Sequence, residues 1–286
     1  MNDTRSDRWW KAHEIEKIWP ETLLKRQEIH CVAACSRFRS MNYIDDHAWV
    51  LSCGGEAASA LILHSKRTIF PVFNGITNFY TPAFLLRALK SIDIYAIQGI
   101  KEETETMERV LCPLGFMAKQ YVDFNMMVLD PAAELKLMQI PLKLKLRKPS
   151  PADEEKILPL QCAYEQEEVL PTGQMFDKRI CRYNLAKIIK NEECLIAEIN
   201  EKVVGKINTN AESFSFSQIG GVFVLPQYRG MGIATCLTAA MIRLLKSRGK
   251  AITLYVKKSN KPAISVYKKC GFVKLSDYRT VYIKSL

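Results

Sequence analysis

Apolar side chains recur in two rhythms along this chain, and the changes of rhythm mark its elements. Residues 1 to about 40 place Leu23, Leu24, Ile29, Val32, Cys35 and Phe38 at helical spacing amid charge. That spacing predicts helices, one opened by Pro20, with Trp9, Trp10 and Trp19 as packing anchors. From residue 48 the apolar positions close up into runs at 48–53, 57–64 and 68–73, separated by Gly54-Gly55 and by Ser65-Lys66-Arg67. Runs of this length between turn residues predict strands. A helix over 82–90, a strand over 94–100 and a helix over 102–111 follow, the last opening in acids that complement the positive end of its dipole. Gly115-Phe116 then leads into a pair of strands within 118–129.

After a linker at 131–141 the order begins again. A strand at 143–147, helices at 151–168 and 178–190, and strands at 194–200, 202–208 and 214–225 lead into a helix whose apolar face is Ile233, Leu237, Met241, Leu244 and Leu245. A strand at 252–256, a helix at 262–269 and terminal strands to 283 complete it. This order predicts an α+β fold in which each half is a mixed, mostly antiparallel sheet flanked by helices. The halves end alike, Pro113-Leu114-Gly115-Phe116-Met117 against Lys269-Cys270-Gly271-Phe272-Val273. They read as an internal repeat with domains at 1–140 and 141–286.

Composition narrows the class. At 286 residues and 48% apolar, the chain supports two full cores. No apolar run approaches the roughly 20 residues that span a bilayer, and the N-terminus lacks a secretory apolar core, so a cytoplasmic protein without a membrane partner is expected. Nine cysteines without CxxC pairs predict reduced, mostly buried thiols and no metal site. The net charge of +11 is dispersed, without aromatic interleaving or a zinc or helix-turn-helix signature, which argues against nucleic acid as partner.

The chemistry concentrates in residues 218–245. An apolar β-branched run ends at Pro226, a basic loop Arg229-Gly230-Met231-Gly232 follows, and a helix begins. Strand, glycine loop and helix N-terminus form a device for anion capture, because the first helical amides have no intrahelical partner. The spacing is neither GxxxxGK[ST] nor a GxGxxG dinucleotide fingerprint. It resembles motif A of the GNAT acyltransferase superfamily, [QR]-x-x-G-x-[GA], here Arg229, Gly232 and Ala234 after Val224-x-Pro226. The segment from Asn260 through Tyr267 to Gly271-Phe272 resembles that family's motif B, N-x-x-A-x-x-x-Y-x-x-x-G-F. The loop at 74–82 has one glycine and no RxxGxG, so the N-terminal half resembles a degenerate copy. Its counterpart of Tyr267 is Leu111.

The resemblance implies acetyl-CoA as cosubstrate. Val222, Phe223 and Val224 would pair with the pantetheine arm, and Arg229, Gly230, Met231, Gly232, Ile233, Ala234 and Thr235 would receive the pyrophosphate. Asn260 would hydrogen-bond the pantetheine. The Val222 amide would act as oxyanion donor and Tyr267 as general acid toward the leaving thiolate. Many members carry a glutamate where this chain has Gln218, which positions an amine or water but accepts no proton at neutral pH. All four histidines, His13, His30, His47 and His64, lie in the other half. The base stays unassigned among Glu165, Glu167, Glu168, Glu212 and a water chain. The expected activity is N-acyl transfer, acetyl to a primary amine of a small molecule or peptide, by direct attack in a ternary complex. The alternative is a non-catalytic acyl-CoA sensor. The acceptor is not encoded, and a homodimer is left open.

Overall fold

The computed structural model describes residues 8–12, 18–42, 44–52, 58–133 and 143–284. The expected boundary at 140/141, most of the linker at 131–141 and the Gly54-Gly55 turn lie outside them. The chain packs as two compact units, one of residues 1–125 and 276–286, the other of 126–275.

In the first unit, strands β1 (Arg8–Lys11), β2 (His47–Ser52), β3 (Ala58–Ser65) and β4 (Thr68–Val72) pair antiparallel in sequence order. Strand β5 (Ala96–Ile100) joins β4 in parallel. Helices α1 (Ile18–Arg26) and α2 (Val32–Arg39) lie between β1 and β2 in sequence, and α3 (Ala83–Ser91) and α4 (Lys101–Leu111) flank β5 in sequence. The expectation of helix from residue 1 onward needs correcting. Arg8–Lys11 is extended because pairing with β2 satisfies its backbone and buries Trp9 in the core of this unit.

The chain continues through β6 (Met117–Leu129), one strand where a pair was expected, and β7 (Leu144–Arg147). Helices α5 (Glu154–Tyr164) and α6 (Lys178–Asn191) follow, then strands β8 (Cys194–Ile199), β9 (Lys202–Glu212) and β10 (Phe216–Val224). Helix α7 (Ile233–Ser247), strand β11 (Ala251–Lys257), helix α8 (Lys261–Lys269) and strand β12 (Phe272–Lys284) complete the order. The terminal pair of strands expected from the sequence is thus also one strand. In the second unit β7, β8, β9 and β10 pair antiparallel and β11 joins β10 in parallel, the arrangement of the first unit repeated.

The last place in each sheet is filled by exchange. Beside β5 lies β12, with Tyr278 opposite Ile100 and Tyr282 opposite Ala96. Beside β11 lies β6, whose Met127 and Leu129 belong to the second core. That core is built on the buried face of α7, where Ile233, Leu237, Met241 and Leu245 pack against Ile219, Ile252 and Leu254. Each such side chain contributes about 1.5–3 kcal/mol by leaving water.

Candidate active site

The site follows from a fault in the second sheet. Pairing between β10 and β11 runs from Phe216 opposite Ala251 to Ile219 opposite Leu254 and then stops, although both strands continue. On its other side β10 carries a bulge. Gly220 stands opposite Asn208 and Phe223 opposite Lys206, so Gly221 and Val222 together face Ile207. The strands part beyond the fault and leave a cleft of about 680 Å³. Val222, Phe223 and Val224 line one side, Lys257, Ser259, Asn260, Pro262, Ser265, Val266 and Tyr267 the other, and Gly230, Gly232, Ile233, Ala234 and Thr235 the floor at the start of α7.

The glycines of that floor answer to a conformational need. Gly230 and Gly232 have φ of +80° and +78°, and nothing lies within 4 Å of where a Cβ would stand. The positive φ excludes most side chains, and the open space leaves the amides at the start of α7 accessible to an anion. Lys257 and Lys269 add positive charge to the lining. An open glycine cradle, a helix N-terminus and two ammonium groups fit a polyphosphate.

Tyr267 is buried at 7% exposure, its ring edge-on to Phe272 with centroids 6.0 Å apart. Burial, with Tyr164 and Glu168 adding repulsion, raises its phenol well above the ordinary range and keeps the proton in place.

Nearly every coenzyme residue expected from the sequence reaches this cleft, and two residues do not. Met231 lies outside the lining with its side chain turned outward at 48% exposure. Gln218 is buried before the fault, beside Thr253, and is also absent from the lining. Its Oε1 has no hydrogen-bond partner among the described residues, nor has Thr253 Oγ1.

Two carboxylates that the sequence did not assign to coenzyme binding also line the cleft. The expected helix at 151–168 is present as one continuous helical run, but its two ends depart from α geometry. A 3-10 turn at Pro151–Asp153 opens it, α5 runs on through Pro159, and Glu165–Val169 widens into a π turn that carries Glu167 and Glu168 to the cleft. Glu167 accepts two hydrogen bonds from Arg229, at 3.0 and 2.9 Å. Arg229 also donates from Nε to the Val224 carbonyl at 3.1 Å. Glu168 accepts from Asn260 Nδ2 at 2.9 Å and lies 3.4 Å from Lys257 Nζ. Asn260 in turn caps α8 by accepting from Ala263 N at 3.0 Å. These partners are 62 and 92 positions apart, beyond the reach of any local pattern. Lys257 and Lys269 belong to short lysine pairs that read as dispersed surface charge, and the buried Lys206 has no spacing signal in the sequence.

In the first unit, the loop after β4 is closed by the chain itself. Glu103 Oε1 accepts from the Phe73 and Asn74 amides at 2.8 and 3.2 Å, and burial raises the Glu103 carboxyl to about 7. Leu111 is core.

Comparison with known proteins agrees with this geometry. Residues 158–272 match the acetyltransferase (GNAT) family and constitute a GNAT acetyltransferase domain. The chain is similar to an uncharacterized N-acetyltransferase of Methanocaldococcus jannaschii, 35% identical over 104 residues, which are 33% of this chain and 46% of the relative. It is also similar to an N-alpha-acetyltransferase of Sulfurisphaera tokodaii, 34% identical over 101 residues, 30% of this chain and 60% of that one. The match thus spans about half the length of these relatives. Among solved structures, a tandem GNAT protein from the clavulanic acid biosynthesis pathway aligns over 98% of both chains, with a TM-score of 0.53 and 12% identity. The fold is two tandem GNAT-like domains, each a mixed, mostly antiparallel sheet with flanking helices.

Proposed function

We propose that this protein is an N-acetyltransferase that moves an acetyl group from acetyl-CoA to a primary amine in a ternary complex. The observation that carries this reading is one cleft lined both by an open helix N-terminus and by a buried tyrosine. Gly230, Gly232 and the first amides of α7 take the pyrophosphate, aided by Lys257 and Lys269, and β10 offers Val222, Phe223 and Val224 to the pantetheine arm as a strand edge. Amine nitrogen attacks the thioester carbonyl, and the Val222 N–H stabilises the oxyanion. The C–N bond forms, the C–S bond breaks, and Tyr267 gives its proton to the thiolate. The amine's own proton passes to water, and no side chain is assigned as its base. A thiol-borne intermediate is disfavoured, because burial raises both Cys236 and Cys270, the latter to about 11. The acceptor class includes peptide N-termini as well as small amines.

Thiol release from acetyl-CoA, measured across small amines, aminoglycosides and free-N-terminus peptides, tests this. An active acceptor is the expected result, and Tyr267→Phe should then lower kcat by about 10²-fold or more with little change in acetyl-CoA affinity. A second reading, an acyl-CoA sensor without turnover, is favoured by Gln218 lying outside the lining where a glutamate base was expected. Acetyl-CoA binding with no thiol release for any amine would decide for it.

A further inference from the structure

Lys206, on β9, is completely buried at 0% exposure and has no place in the mechanism above. Its Nζ donates to Asn208 Oδ1 at 2.7 Å and to the Gly221 carbonyl at 3.0 Å, and lies 4.8 Å from the centre of the Tyr164 ring. Burying an ammonium is costly unless something specific is gained from its position.

Its acceptor is the bulge of β10. The carbonyl of Gly221 and the N–H of Val222 belong to one peptide unit, and in a planar trans peptide these groups point in opposite directions. A donor that captures the carbonyl therefore sets the direction of the amide. The other half of Gly221 is held too, because its N–H reaches the Tyr164 phenol oxygen. The approach is close enough to need glycine. With φ of +59°, Gly221 has room for no Cβ, which would meet Asn208 Oδ1 at 1.9 Å and Lys206 Nζ at 2.8 Å.

We propose that Lys206 is a positioning residue for the oxyanion donor. Its ammonium holds the Gly221 carbonyl on its own side of β10 and so turns the Val222 N–H toward the thioester carbonyl in the cleft. The charge-assisted bond also polarises that peptide unit, which makes Val222 a stronger donor. This rests on the assignment of Val222 in the proposed function.

The test is Lys206→Met, which removes the ammonium and keeps most of the volume, studied with acetyl-CoA and an active amine. With correct positioning lost, kcat should fall about 100-fold while the dissociation constant of acetyl-CoA changes by less than about threefold. In protein labelled with ¹⁵N-valine, the Val222 amide resonance should move. A folded variant with unchanged kcat and an unmoved Val222 resonance overturns the proposal. If the variant does not fold, the wild-type Val222 resonance is followed against pH through the titration of Lys206. Tyr164, Glu165, Cys181 and Cys194 face the ammonium from α5, the π turn, α6 and β8, and the last two are held protonated by burial. A Val222 signal that does not respond near the Lys206 titration then overturns the proposal. If the wild type turns over no amine, the catalytic reading fails separately. The Val222 resonance with acetyl-CoA bound still decides whether Lys206 orients that amide.

Discussion

Glu167 and Glu168 are neighbours in sequence with carboxylates committed to different partners. One neutralises the Arg229 guanidinium, and the other takes the free donor of Asn260 and approaches Lys257. The family resemblance gives Arg229 and Asn260 to the coenzyme and the proposed function adds Lys257, so binding would exchange protein carboxylates for ligand oxygens. The Glu167–Arg229 pair is about half exposed on both sides and is worth about 1 kcal/mol or less. Glu167→Gln should therefore tighten acetyl-CoA binding by up to about fivefold, read by calorimetry, with the gain fading at high salt. An unchanged or weaker affinity would mean that Arg229 serves the coenzyme through its bond to Val224 and not through its charge. The distinction matters because motif A names the arginine without saying what holds it.

At the scale of elements, β7, β8 and the start of α5 meet at Arg147. Its guanidinium bonds Asp153 through both terminal nitrogens, at 2.8 and 2.7 Å, and Glu198 from Nε at 3.0 Å. Both carboxyls are held below their usual range by Arg147. A depressed carboxyl pKa contributes stability that is present above its unfolded value and lost as pH falls. Arg147→Met should destabilise by about 3–5 kcal/mol at neutral pH, because two buried carboxylates lose their partner, and by less in acid where they protonate. Denaturant unfolding at both pH values measures this. The opposite sign is expected at Glu103, the carboxyl that closes the loop after β4. Its folded pKa is raised from 4.5 to about 7, so the native state binds the extra proton and stability falls as pH rises between these values. The span amounts to roughly 3 kcal/mol. Glu103→Gln should flatten that segment of the pH–stability curve, and a curve parallel to wild type would show that Glu103 titrates normally.

The exchange of strands matters at the scale of the whole molecule. A cut at the expected boundary, leaving 141–286, would retain β12 without β5. It would expose Tyr278, Val281 and Ile283, which are now buried in the first unit. Such a fragment should aggregate or melt well below the full chain, as size-exclusion chromatography and thermal unfolding would reveal. A soluble, monomeric 141–286 with an unchanged melting temperature would show that β12 is satisfied without its partner. Whether the first unit bears on activity is therefore better probed by point changes than by truncation.

Local periodicity sufficed for most elements, because strand and helix formation depend on neighbours in sequence. It failed at Arg8–Lys11, where four residues beside tryptophans became a strand through pairing with β2. At Pro151–Val169 it gave the helical run but not its local geometry, a 3-10 first turn and a π turn at the end. Backbone amides and a φ-positive loop are written locally as Arg229, Gly230 and Gly232, which is why the glycine floor of the cleft was legible. The sequence by itself determined the rhythm of the two repeats, the glycine cradle at the start of α7 and the tyrosine of α8. The tertiary structure alone decided where β10 and β11 part, which carboxylates hold Arg229 and Asn260, which strand completes each sheet and why a lysine lies sealed beneath a bulge. All four depend on pairings between residues far apart in the chain, and the free energy of such pairings is set by burial and geometry that exist only once the sheet has formed.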